Sequence, residues 1–296
     1  KGNGYWKNYL EEQEILCIGP ICPSGKYLSI FSILRFLKLI KKNKFNVIHT
    51  HMPPSLVYIF FAKLFYRKLP KIIFTSHNDE PFLRTRIFDR LISKILISNV
   101  DKVIAISSSV KKFLIKRYKL YGSNIKVINY GFEKDFYNTQ KSLSKSEFLY
   151  LNNKKILLGT VARLVPQKRI DLLIHSFSIL RKLGYENLNL VIIGDGILKS
   201  KLIDLSKSLG VIDSIHWIPY TENVIEHMKK WDIFCLTSKY EGFGLVLLEA
   251  ISVDLPIVAM KSSSIRSIVG PCGKLVKFGD VDSFAESIID VIKPVK

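Results

Sequence analysis

The stretch "DIFCLTSKYEGFGLVLLEAIS", residues 232–252, divides into three pieces. "DIFCLTS" is a short apolar and aromatic run of strand length, "KYEGFG" is a glycine-bearing turn, and "LVLLEAIS" is an apolar helix. Strand, turn and helix in that order form the repeating unit of a parallel sheet covered by helices. The same rhythm extends in both directions. Toward the N-terminus lie "KILLGTVARL", a helix from Asp171 to Leu183, "NLVIIGDG", a helix through Leu209, "SIHWIP" and a helix from Asn223 to Trp231. Toward the C-terminus come "LPIVAM" and a last helix near Asp282, which reads as its N-cap.

A separate series occupies the first half, with strands expected at "NVIHTH", "KIIFTSH", "KVIAIS" and "KVINYG". Ahead of it, Ile15 to Ile18 is a first strand-like run. The polar tract "NTQKSLSKSEFLYLNNK", residues 138–154, interrupts the alternation and reads as a linker. The expected domains are therefore 1–137 and 155–296, two Rossmann-like doubly wound α/β units facing across a cleft. A chain of 296 residues, 48% of them hydrophobic, can fill two such cores.

The opening stretch also carries chemistry. The N–H groups around Phe243 to Val246 fall at a helix N-terminus, which attracts phosphate. Gly242 and Gly244 lack a Cβ and allow close approach to the backbone. Glu241 and Glu249 flank this turn. As phosphate ligands they would repel, whereas as hydroxyl acceptors on either side of a diphosphate they suit a nucleotide sugar. Glu249 would take the ribose diol and Glu241 the sugar. On spacing alone, an open alternative is that Glu241 caps the helix and Glu249 is merely exposed. Arg163 and Lys168 follow another strand end and could neutralise a diphosphate leaving group. Gly194, in "IIGDG", suits a nucleotide edge.

Charge and cysteine content narrow the class. The formal net charge is +20, and residues 1–150 carry 26 Lys and Arg against 10 Asp and Glu. Segments such as "ILRFLKLIKKNK" could rest on an anionic bilayer surface, with a solvated helix face as the alternative. No nucleic-acid signature accompanies the charge. Cys17, Cys22, Cys235 and Cys272 are too irregularly spaced for zinc and too few for a disulfide scaffold, which points to a reducing, cytoplasmic compartment. The apolar runs are too short for a spanning helix.

"VARLVPQKRIDLLIHSF", "LVIIGDGILKSKL" and "SKYEGFGLVLLEA", followed by "LPIVA", resemble the retaining nucleotide-sugar glycosyltransferases of family four, the group-1 glycosyl transferases of GT-B fold. "FNVIHTHMPPS", "FTSHN", "VIAISSSVKKFL" and "VINYGF" resemble that family's acceptor domain. The resemblance implies that Arg163 and Lys168 bind the donor diphosphate, Glu249 the ribose, and Glu241 with Gly242, Phe243, Gly244 and Leu245 the donor sugar. It implies that His77 faces the donor sugar as a catalytic residue beside Glu241, Arg163 and Lys168, with His49 and His51 on the acceptor side. It implies a metal-independent transfer that needs no cofactor beyond the donor substrate, to a glycan or lipid-linked acceptor in surface polysaccharide or lipopolysaccharide synthesis.

Three departures from the pattern stand out. The family's first strand and glycine loop have no counterpart, since Gly2 and Gly4 do not fit it, and its C-terminal crossing helix is also missing, so the chain reads as cut at both ends. Asp254 occupies a position where glycine is usual. "SSIRS", residues 263–267, replaces a Gly-Gly-x-x-Glu pattern near the donor phosphates. A nucleotide-sugar-binding protein without turnover, or a sugar-nucleotide epimerase of the same fold, are the competing readings.

Overall fold

The computed structural model describes residues 10–17, 29–66, 68–77, 86–131, 155–262, 265–270 and 273–292. The expected linker, 138–154, lies outside them, as do Gly2, Gly4, Cys22, Ser263, Ser264 and Cys272. The chain divides into two compact units, one on each of two parallel sheets.

In the first unit α1 (Ile30–Lys42) leads to β1 (Val47–His51), α2 (Pro53–Phe65), β2 (Lys71–Ser76), α3 (Arg86–Ser98), β3 (Lys102–Ala105), α4 (Ser108–Tyr118) and β4 (Ile125–Val127). The four strands pair in chain order, all parallel. Ser29 caps α1 by accepting the Ser32 N–H at 3.1 Å. Lys41 and Lys42 sit in the last turn of α1, where the helix dipole favours cations. Asp101 pins the entry of β3 to β2. Its carboxylate accepts the Ile72 N–H at 2.8 Å and its own N–H donates to the Ile72 carbonyl at 2.9 Å.

The second unit runs β5 (Ile156–Val161), α5 (Ile170–Lys182), β6 (Leu188–Ile193), α6 (Lys199–Ser208), β7 (Ile215–Ile218), α7 (Val224–Met228), β8 (Ile233–Leu236), α8 (Leu245–Ser252), β9 (Ile257–Met260), α9 (Arg266–Val269), β10 (Gly273–Val276) and α10 (Val281–Ile292). Its strand order is β10-β9-β8-β5-β6-β7, all parallel. The period of two along each strand divides the core into two layers. Leu158, Ile233, Cys235, Val258 and Met260 face α5 and α10, packing on Leu173, Phe177, Phe284 and Ile288. Leu157, Phe234, Leu236, Ile257 and Ala259 face the other way, onto Met228, Leu247, Ala250 and Val269. Each fully buried side chain of this kind contributes about 1.5–3 kcal/mol. Burial also pushes the Cys235 thiol well above its ordinary pKa, so it is an inert core residue.

Several expectations change. Residues 15–17 of the expected first strand belong to no sheet, and Leu16 is 85% exposed, because no described strand offers it a ladder. The helix expected from Asn223 to Trp231 contracts to Val224–Met228, since the chain must turn before Asp232 to enter β8. Neither α9 nor β10 was expected; each is four residues, too short for periodicity to register. Asp282 is not the cap of the last helix. Asp280 takes that role, accepting the Ser283 N–H at 3.0 Å and the Ser283 hydroxyl at 2.9 Å. Both bonds favour the charged form and hold the Asp280 carboxyl below its ordinary pKa.

The usual-glycine position, Asp254, is left-handed with φ of +56°. It precedes β9 and so lies at the amino edge of the sheet, at the opposite end of α8 from Glu241, about 12 Å away for an eight-residue helix. It therefore answers a backbone requirement and does not reach the turn at 241–245.

Two predictions follow from these backbone positions. Asp254→Gly should leave stability unchanged or raise it by up to about 1 kcal/mol, whereas Asp254→Val should cost about 1–2 kcal/mol. Thermal melts check both. Because the Asp280 pKa is depressed in the folded state, its contribution is present above the unfolded aspartate value of about 3.9 and lost as pH falls through the folded value. Asp280→Ala should therefore lower Tm at neutral pH, and the difference from the parent should vanish in melts at strongly acid pH.

Candidate functional site

Strand order in the second sheet reverses beside β5: β6 and β7 continue to one side, β8 to β10 to the other. The chain leaving β5 enters α5 on one face, and the chain leaving β8 enters α8 on the other. The carboxyl ends of two strands at such a reversal, where the following loops diverge, are where open α/β sheets bind ligands. Arg163 and Lys168 lie on the β5 loop, and Glu241 to Leu245 on the β8 loop.

Three hydrogen bonds stitch these loops together. Lys239 N–H donates to the Gln167 carbonyl at 2.9 Å, Gln167 Nε2 donates to the Tyr240 carbonyl at 3.0 Å, and the Thr237 hydroxyl donates to the Lys168 carbonyl at 3.1 Å. Held in this way, Lys168 Nζ meets Glu241 Oε1 at 2.6 Å, with side chains only 15% and 9% exposed. The sequence assigned these two groups to different parts of a donor, and the structure joins them. An ammonium has three N–H donors, so one bond to Glu241 leaves two for another acceptor.

The turn into α5 is also set locally. Arg169 is left-handed, with φ of +48°, and its guanidinium grips Asp171 at 2.9 and 2.7 Å while lying 5.8 Å from the Phe278 ring. The Asp171 hydrogen bond raises the Arg169 pKa. Gln167, Arg169 and Thr237 were not among the expected residues. The Arg-x-Asp spacing could have revealed Arg169, but nothing in sequence links Gln167 to Tyr240, 73 residues away.

The remaining residues fall into place around this junction. Gly244, not Glu241, occupies the cap position of α8, with φ of +82°. Glu249 is half-buried one helical turn beyond Leu245. Phe243 is half-buried between the two glycines, and Leu245 and Arg163 are exposed. Gly194 ends β6, where its N–H donates to the Ile218 carbonyl, and a Cβ there would come within 2.0 Å of the Ala162 carbonyl oxygen. Its immediate requirement is close strand-end packing. Of the substituted 263–267 segment, the described part places Ser267 on α9.

His49, His51 and His77 gather in the first unit, at the carboxyl ends of β1 and β2. His49 Nε2 is 2.7 Å from Thr75 Oγ1, and His51 Nδ1 is 2.9 Å from His77 Nε2. The ring centroids of His49 and His51 are 4.3 Å apart, and those of His51 and His77 are 5.1 Å apart. Burial first, and then the neighbouring imidazoles, lower the pKa of His51 and His77, so both favour the neutral form.

Comparison with known proteins places this geometry. Residues 9–136 match the family described as Glycosyltransferase Family 4, and residues 143–294, just over half the chain, match Glycosyl transferases group 1. A Haemophilus influenzae protein described as an uncharacterized glycosyltransferase is 31% identical over 193 residues, 65% of this chain and 51% of that protein. The Escherichia coli O-antigen biosynthesis glycosyltransferase WclY is 27% identical over 73% of this chain and 61% of its own length. The chain thus spans about half to three fifths of these relatives. The crystal structure of Anabaena Alr3699/HepE in complex with UDP-glucose superposes with a TM-score of 0.82 at 21% identity, over 98% of this chain and 80% of that one, and shares the fold. With its two parallel α/β units and its matches in both halves, the chain belongs to the group 1 glycosyl transferases.

Proposed function

We propose that this chain carries the working parts of a retaining glycosyltransferase that moves a sugar from a nucleoside-diphosphate sugar to a hydroxyl of a glycan or lipid-linked acceptor. The observation that carries this reading is the Lys168–Glu241 pair at the strand-order reversal, beside the N-terminus of α8. In it, the bond from the anomeric carbon to the diphosphate breaks as the acceptor oxygen bonds to the same carbon from the same face. Arg163, the two remaining Lys168 donors and the α8 N–H groups stabilise the negative charge gathering on the departing diphosphate. Glu241 accepts from sugar hydroxyls while orienting Lys168, and Glu249 accepts from the ribose.

Positive charge already surrounds the leaving group, so the reading calls for no metal and no cofactor. The named role of the Escherichia coli relative supports surface polysaccharide synthesis, and UDP-glucose in the Anabaena protein supports a uridine nucleotide. Among the described residues no helix is long and apolar enough to cross a membrane. A place on the cytoplasmic face, in contact with anionic lipid, belongs to the same proposal. A binding protein without turnover is the second reading, favoured by the serines at 263, 264 and 267.

Calorimetric titration with UDP, GDP and ADP tests the donor site. One nucleotide should bind, and Lys168→Ala and Glu249→Ala should each weaken it at least tenfold; binding to none of the three would overturn the site assignment. Glu241→Ala should cut sugar transfer about 10²–10³-fold. It should also lower stability by a few kcal/mol, because Lys168 is left buried without its counterion. Assaying it well below its own melting point separates the two effects, and transfer at the parent rate would refute the role given to Glu241. Nucleotide binding with no transfer to any acceptor would favour the binding-protein reading.

A further inference from the structure

The first unit has a second edge that the proposed chemistry does not use. Parallel strands all start on one side, so the connections α1 to β1 and α2 to β2 both arrive at the amino edge, opposite the histidines. Between them lies a groove of about 790 Å³ bordered by Lys41, Lys44, Lys68 and Lys71. Ile40, Leu69 and Pro70 form apolar parts of its lining. Its one acid, Asp101, already accepts the Ile72 N–H and lies 3.8 Å from Lys71 Nζ.

Beside this cationic groove, large apolar side chains stand in solvent. Phe45 is 41% exposed, Val47 50%, Leu64 63% and Phe65 67%. Helix dipoles explain Lys41 and Lys42 at the end of α1 and Lys63 at the end of α2. They do not explain Lys44, Lys68 and Lys71, which lie outside both helices, nor the apolar residues among them. Scattered exposed apolar residues are ordinary, but four on one edge, interleaved with cations, are not. A soluble phosphate would use the lysines and leave Leu64 and Phe65 in water. A bilayer uses both: apolar side chains enter the interface while ammonium groups sit among anionic headgroups.

We infer that this amino edge docks the protein on an anionic lipid bilayer, with Lys44, Lys68 and Lys71 engaging headgroups and Leu64 and Phe65 inserting. The inference gives a location to the membrane part of the proposed function and rests on none of the donor-site residues.

The test is sedimentation of the full chain with phosphatidylcholine vesicles, with and without phosphatidylglycerol. The parent should bind the anionic vesicles alone and release as salt rises. The triple variant Lys44→Gln, Lys68→Gln, Lys71→Gln should bind at least tenfold more weakly, each lysine being worth about fivefold near such a surface. Leu64→Ser with Phe65→Ser should also weaken binding, with the salt dependence retained. A control of equal charge, Lys182→Gln, Lys201→Gln, Lys207→Gln, should bind as the parent does, and all variants should keep the parent's nucleotide titration. The proposal is overturned if the parent fails to bind, if neutral vesicles bind as well, or if the control triple loses as much as the edge triple. It is also overturned if inorganic phosphate releases the protein beyond its ionic-strength effect, which would identify a soluble-anion site. Unchanged nucleotide binding in an edge variant that has lost vesicle binding separates this inference from the donor-site assignment.

Discussion

The junction of β5 with β8 is the constraint on which the second unit depends, because it joins strands separated by two complete βα units. Asp232 locks its amino end, accepting the Leu157 N–H at 2.7 Å while its own N–H donates to the Leu157 carbonyl at 2.9 Å. Gly159 admits the indole of Trp231 against β5, where a Cβ would come within 1.9 Å of the ring. Asp101 and Ile72 repeat the aspartate clamp in the first sheet. The clamp works because the aspartate N–H and carboxylate take up both the carbonyl and the N–H of one partner residue, leaving no unpaired backbone group at the strand's start.

Once β5 and β8 are neighbours, Lys168 and Glu241 must face each other. Their nearly dry ion pair is poor evidence for stability, since desolvating both charges offsets much of their attraction. Its use is geometric. The pair holds an ammonium and a carboxylate in fixed mutual orientation beside the N-terminus of α8. Such preorganisation is what electrostatic stabilisation of a departing diphosphate requires, because the dipoles need not rearrange as the charge develops.

Strand polarity divides labour within the first unit too. The carboxyl edge gathers three imidazoles, two of which, His51 and His77, are held below their ordinary pKa by burial and then by neighbouring imidazoles, and the amino edge gathers ammonium groups with exposed aromatic and aliphatic side chains. The two clusters lie at opposite ends of the same strands.

Sequence by itself determined the parallel α/β class, most strands to within a residue or two, and which loops carry the charged residues, because periodicity and glycine turns are local signals. It marked Glu241, Lys168 and Arg163 through motif spacing. Tertiary structure alone decided that Lys168 and Glu241 are bonded partners, that Gln167 and Thr237 hold their loops together, and that His51 contacts His77. These pairs are separated by 26 to 73 residues, and no local pattern encodes which strands become neighbours. The cap at Asp280 in place of Asp282, and the left-handed Asp254, were likewise settled by where the packed helix must begin and where the chain must turn into β9.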